Sequence, residues 1–130
     1  EAGQPAPAPV VEDAKEVDEG DGSEKHVEVD LYDFQITSYR AHTNTTLYVN
    51  FHLWGTISGE DEGEFLDLRD KYENRFRDLV ITTIRSSDPK DLTDAGLGLI
   101  KRKILATTNA HFTKGLLKGV IVSELSIYEQ

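Results

Sequence analysis

The side chains able to do chemistry in this 130-residue chain are few and scattered. Its four histidines are His26, His42, His52 and His111, and no pair has metal-ligand spacing. His26 and His52 could meet across a hairpin, but two imidazoles without a carboxylate at helical spacing make a weak site. Cysteine is absent, which excludes a thiolate metal site, a disulfide scaffold and a cysteine nucleophile. No serine is flanked by glycines as a nucleophile would be, and no Gly-rich loop ends in Lys-Ser or Lys-Thr. Gly96-x-Gly98 follows an acidic turn and lacks the third glycine of a dinucleotide site. Glu60, Asp61, Glu62 and Glu64 lack the alternating ligands and central glycine of a calcium loop, and read as a solvated helix start. Asn44-Thr45-Thr46 matches a glycosylation sequon, which matters only in a eukaryotic secretory pathway. The expectation is a non-enzymatic protein with no catalytic residue, no metal, no cofactor and no small-molecule substrate.

What remains is a contact surface. Tyr48, His52 and Trp54 lie at even-numbered positions of one strand-like segment and so stand together on one of its faces. An exposed Trp–Tyr pair on a sheet is a common form of protein-contact surface. The alternative is that the N-terminal segment or cross-strand packing covers them. Arg69, Glu73 and Arg77 form an i, i+4 ladder of alternating sign on the outer face of a helix. These six residues are the candidate partner or oligomer contacts.

The elements that position them follow from periodicity. Val27, Val29 and Leu31 alternate with Glu28 and Asp30, and the pattern resumes out of phase at Phe34 and Ile36. That predicts a first strand with a bulge or kink around Tyr32-Asp33. After a turn near Arg40–Asn44, Leu47, Val49, Phe51, Leu53 and Ile57 form the inward face of a second strand. The two should pair as an antiparallel hairpin. Phe65, Leu68, Tyr72, Phe76, Leu79, Val80 and Ile84 have helical spacing over one helix from about 60 to 85, stopped by Ser87-Asp88-Pro89. A second helix buries Leu97, Ile100, Ile104, Thr108 and Phe112, turns Lys101, Arg102 and Lys103 outward and ends at Gly115. A third strand runs over 119–128. The order β-β-α-α-β implies an α+β fold with both helices on one sheet face.

Composition divides the chain near residue 25. Residues 1–25 hold eight acidic and two basic side chains, three of the four prolines and no aromatic residue. They read as a disordered or extended linker. Residues 26–130, with sixteen acidic and twelve basic side chains, form one domain. The overall net charge of −10 argues against nucleic acid and against a polybasic lipid-binding patch. No apolar run approaches the roughly 20 residues of a membrane span. Methionine is absent too, so the expectation is a processed chain or a fragment of a longer product, whose upstream part could include a signal or a membrane anchor.

The run Leu68-Arg69-Asp70-Lys71-Tyr72-Glu73-Asn74-Arg75-Phe76-Arg77-Asp78 leads into Leu79–Ser87, then Lys90-Asp91-Leu92, a second amphipathic helix and a strand ending in Glu129-Gln130. This order resembles the periplasmic domain of the flagellar basal-body FliL family. There an Arg-Asp pair precedes a Leu/Ile helix, followed by a serine pair, an acidic-leucine turn, a helix and a strand closing on Gln. Arg77-Asp78, Ser86-Ser87, Asp91-Leu92 and Gln130 occupy those places, and the resemblance covers about residues 27–130. It implies a stomatin-like (SPFH-type) domain displayed in the periplasm, anchored in the bacterial inner membrane by one helix upstream of Glu1. It also implies a homo-oligomeric ring around the stator unit of the flagellar motor, supporting torque and motility. Residues 1–25 would be the spacer. Two features depart from the family: the loop Ala95-Gly96-Leu97-Gly98 and the aromatic strand around His52 and Trp54. The rival expectation is a stomatin-like scaffold for another membrane protein, unrelated to flagella.

Overall fold

The computed structural model describes residues 25–92 and 97–130. The linker, apart from Lys25, and residues 93–96 of the Gly-containing loop lie outside the described residues.

Strands β1 (His26–Arg40), β2 (Thr45–Ser58) and β3 (Leu117–Glu129) form an antiparallel sheet in the order β1-β2-β3. β2, paired on both sides, is the central strand, and its side chains alternate strictly. Leu47, Val49, Phe51, Leu53 and Ile57 are buried, while Tyr48, Asn50, His52, Trp54 and Thr56 on the other face are half-buried. The turn between β1 and β2 closes with the Asn44 amide donating to the Ala41 carbonyl at 3.2 Å; Asn44 takes φ 56°, which its short polar side chain tolerates.

The out-of-phase alternation in β1 is a bulge. Asp30 pairs with Trp54 and Asp33 with His52, so three steps on β1 answer two on β2. Leu31 and Tyr32 both turn toward the helices, and Tyr32 sits at φ 83°. A bulky residue in that region is strained by about 1–3 kcal/mol and persists only where its surroundings hold it.

Between β2 and β3 the chain makes a 3₁₀ turn (Gly59–Asp61), helices α1 (Glu62–Lys71) and α2 (Glu73–Arg85), a helical turn (Pro89–Leu92) and helix α3 (Gly98–Thr108). The single helix expected over 60–85 is therefore divided. At Tyr72 the backbone swings to φ −108°, ψ 21°, yet the Tyr72 amide still bonds the Leu68 carbonyl (3.0 Å) and the Phe76 amide the Tyr72 carbonyl (2.8 Å). Those two bonds join the helices across the break. Phe65, Phe76, Val80 and Ile84 stay buried along the run.

The last helix also departs from the simple pattern. It ends at Thr108 and widens into a π turn over Asn109–Thr113, leaving Phe112 half-buried against Tyr72, with ring centroids 5.5 Å apart. Asn109 explains the junction. Its amide group donates to the Leu117 carbonyl (2.8 Å) while its oxygen accepts the Leu117 amide (3.0 Å) and the Thr113 hydroxyl (2.7 Å). That side chain ties the helix end to the first residue of β3. The left-handed Lys114 and Gly115 then reverse the chain.

The result is an α+β fold with the helices on one face of a three-stranded antiparallel sheet. Its core joins the inward faces of β1 and β2 to Phe65, Phe76, Val80, Ile84, Ile100 and Ile104. Each such side chain contributes about 1.5–3 kcal/mol of transfer free energy.

Candidate functional site: the β1 bulge and the open sheet face

The sheet face away from the helices carries the sequence-predicted aromatic group, and the structure gives it partners. Tyr48 stacks on Tyr128 of β3 with centroids 4.9 Å apart and planes at 16°. The rings of His52 and Trp54 lie 4.8 Å apart. The Trp54 indole N–H donates to the Ser123 hydroxyl at 3.1 Å, and Ser123 is buried. These side chains are thus half-covered by cross-strand neighbours, one of the two alternatives open from sequence. Tyr39 (62%) and Tyr128 (47%) are the exposed large rings of the face.

Beside them, the bulge organises a polar cluster that the sequence did not single out. Asp30 and Asp33 flank the extra residues and point to opposite sides of the His52 ring. Nε2 of His52 is 2.8 Å from Asp30 Oδ1, and Nδ1 is 3.5 Å from Asp33 Oδ1. A neutral imidazole has one N–H to give, whereas the imidazolium donates from both nitrogens. The same Asp30 oxygen accepts the backbone N–H of Tyr32 at 2.7 Å, which fastens the left-handed residue. His26 and His52, which could have met across the hairpin, do not, because the register sets His26 opposite Ser58 and His52 opposite Asp33.

From the helix side, two arginines grip the same four-residue stretch. Arg69 Nη1 donates to the Asp30 carbonyl (3.0 Å) and Arg77 Nη1 to the Asp33 carbonyl (3.5 Å). The Arg77 guanidinium lies 4.3 Å above the Tyr32 ring, and that of Arg69 5.7 Å from it. The ladder placed on the solvent face by periodicity is therefore redirected. Glu73 does pair with Arg77 at 3.0 Å, but Arg69 pairs with Asp70, also at 3.0 Å. Long arginine stems let residues at the flank of a helix reach the sheet backbone. Burial, with the Glu73 carboxylate next in weight, pushes the Tyr32 phenol above its ordinary value; Asp70 adds to this, and Arg69 and Arg77 oppose it.

The arrangement fastens the bulge of β1 to the neighbouring strand through His52 and Asp30. Both His52 nitrogens face carboxylates, so neither is directed at the Ser123 hydroxyl as a general base would be. Asp30 and Asp33 approach different ring nitrogens and cannot share one cation with them. Among the described residues no group of three or more His, Asp or Glu side chains is placed to hold a metal ion. No protein-family model matches the chain, and no curated protein matches it.

Proposed function

We propose that this domain is a non-enzymatic, FliL-like module on the periplasmic side of a bacterial inner membrane, working by contact with copies of itself and with a flagellar stator unit. The observation that carries the reading is the residue pattern over 68–130 together with the element order in which it occurs. The Arg77-Asp78 pair lies in α2, the serine pair caps its end, Asp91-Leu92 closes the helical turn, and the chain returns through α3 to a long strand ending beside Gln130. The open sheet face supplies a contact surface, with Tyr48, Trp54 and Tyr128 presented on a rigid central and edge strand. Arg69, Glu73 and Arg77 brace the bulge that shapes one margin of that face.

The test is genetic and physical. In a flagellated host, deleting the gene should shrink swimming rings in soft agar, and the wild-type gene should restore them. Light scattering on the anchored, detergent-solubilised protein should report an oligomer. Undiminished swimming would favour the scaffold reading instead, and a strict monomer would remove the ring.

A further inference from the structure

Although the chain is acidic overall, its charge is strongly segregated. Residues 97–118 contain Lys101, Arg102, Lys103, Lys114 and Lys118 and not one acidic residue. The structure gathers this stretch into α3, the π turn and the start of β3, where Arg102, Lys103, Lys114 and Lys118 are exposed. Lys114 reaches Glu64 at 3.8 Å; among the described residues the other four cations have no carboxylate partner. Five cations with one carboxylate partner among them, in a protein of net charge −10, ask for an anionic occupant.

We propose that this surface is the docking site for the acidic segment of the same chain, Glu12–Glu24, which carries seven carboxylates against the single Lys15. Three features favour this occupant. The first is where the segment enters the fold. The Gly59 amide bonds the Lys25 carbonyl, His26 stands opposite Ser58, and Ile57 stands opposite Leu117. The chain thus joins the sheet about two strand spacings, roughly 10 Å, from the start of β3 with Lys114 and Lys118. The second is reach. Thirteen extended residues span up to roughly 45 Å, more than the roughly 16 Å length of an 11-residue helix such as α3. The third is repulsion from the other routes. Glu60, Glu62, Glu64 and Asp67 crowd the start of α1, and Asp30 and Asp33 occupy the open sheet face. Tethering supplies a high effective concentration, so weak pairwise attractions suffice. The segment would then cover the basic surface at low ionic strength and leave it as salt rises. This inference does not depend on the flagellar reading.

The absence of cysteine allows a clean test on the whole chain. A nitroxide on Ala14→Cys should bleach the amide signals of Lys101–Lys103, Lys114 and Lys118 at least about twofold at ~10 mM salt. The signals should recover at ~1 M, where the screening length falls from ~30 Å to ~3 Å. Asp18→Asn/Glu19→Gln/Asp21→Asn, which leaves the folded domain untouched, should weaken the bleaching, as should Arg102→Glu/Lys103→Glu. Bleaching centred on α1 or the open sheet face would overturn the proposal, as would bleaching that persists at high salt. Bleaching that scales with protein concentration would overturn it too, in favour of a second copy as the occupant.

Discussion

His52 and Asp30 face each other across β1 and β2 with Nε2 2.8 Å from Oδ1, and that same oxygen holds the Tyr32 amide at 2.7 Å. One carboxylate therefore joins a ring on the open face to the strained residue that faces the helices. Asp30→Ala is expected to cost about 1–2 kcal/mol, because it strands the Tyr32 N–H and one His52 nitrogen. In a double-mutant cycle with His52→Ala at neutral pH, the coupling should be about 0.5–1 kcal/mol, read by urea unfolding. Strict additivity would mean that the contact carries no energy of its own.

The phenol of Tyr32 sets an alkaline limit. Its proton is held more tightly in the folded state, since burial and Glu73 push its ionisation upward. Tyrosine in an unfolded chain ionises near ~10. The stabilising contribution is therefore complete below pH ~10 and is lost as pH rises through the higher folded-state value. Tyr32→Phe should flatten the fall in urea midpoint above pH ~10. At pH ~8 the two proteins should differ by less than ~1 kcal/mol, because the lost hydroxyl bond to the Arg69 carbonyl is long, at 3.5 Å.

Trp54 is half-buried and bonded to Ser123, so truncating it removes both packing and a hydrogen bond. Trp54→Ala should lower stability by about 1–2 kcal/mol while leaving the circular dichroism spectrum native. Trp54→Phe, which keeps a ring and loses the bond, should cost about half of that. If Trp54 is also a partner contact, Trp54→Phe should weaken assembly of the anchored protein in light scattering by more than its small stability loss explains.

Gly55 marks where β2 admits no side chain. A Cβ there would lie 2.7 Å from Leu117 Cδ1 and 2.8 Å from Leu31 Cδ1, and both leucines are buried. Gly55→Ala should destabilise by about 1–3 kcal/mol in thermal melts, and adding Leu117→Val should return part of the loss.

Much of this architecture was legible because it follows from burial on one face. The inward row of β2 and the phase slip of β1 can be read directly, since a period of two exposes any extra residue. The break at Tyr72 could not be read because it preserves the spacing of apolar positions, and the π turn at Asn109–Thr113 because it moves the buried position from Phe112 to the polar Thr113. The candidate site was half legible. Tyr48, His52 and Trp54 were found as a row, but Asp30 and Asp33 were hidden by being ordinary polar positions of an edge strand. Arg69 and Arg77 misled for a further reason: helical spacing reports the face from which a side chain starts, and a flexible stem decides where its charge ends.

The bulge in β1 is not needed to keep the apolar side chains inside. Were the extra residue at Tyr32 removed, Val27, Val29 and Leu31 would fall into phase with Phe34 and Ile36, and an unbroken ladder could bury them all. The chain instead keeps a tyrosine at φ 83° in the middle of a strand. What that residue adds is a hinge pin through the sheet. Its ring lies beneath the Arg77 guanidinium on one side, and its amide is fixed by the carboxylate that holds His52 on the other. A single inserted residue thus stands in contact with both the His52–Asp30 pair of the open face and the arginines of α1 and α2.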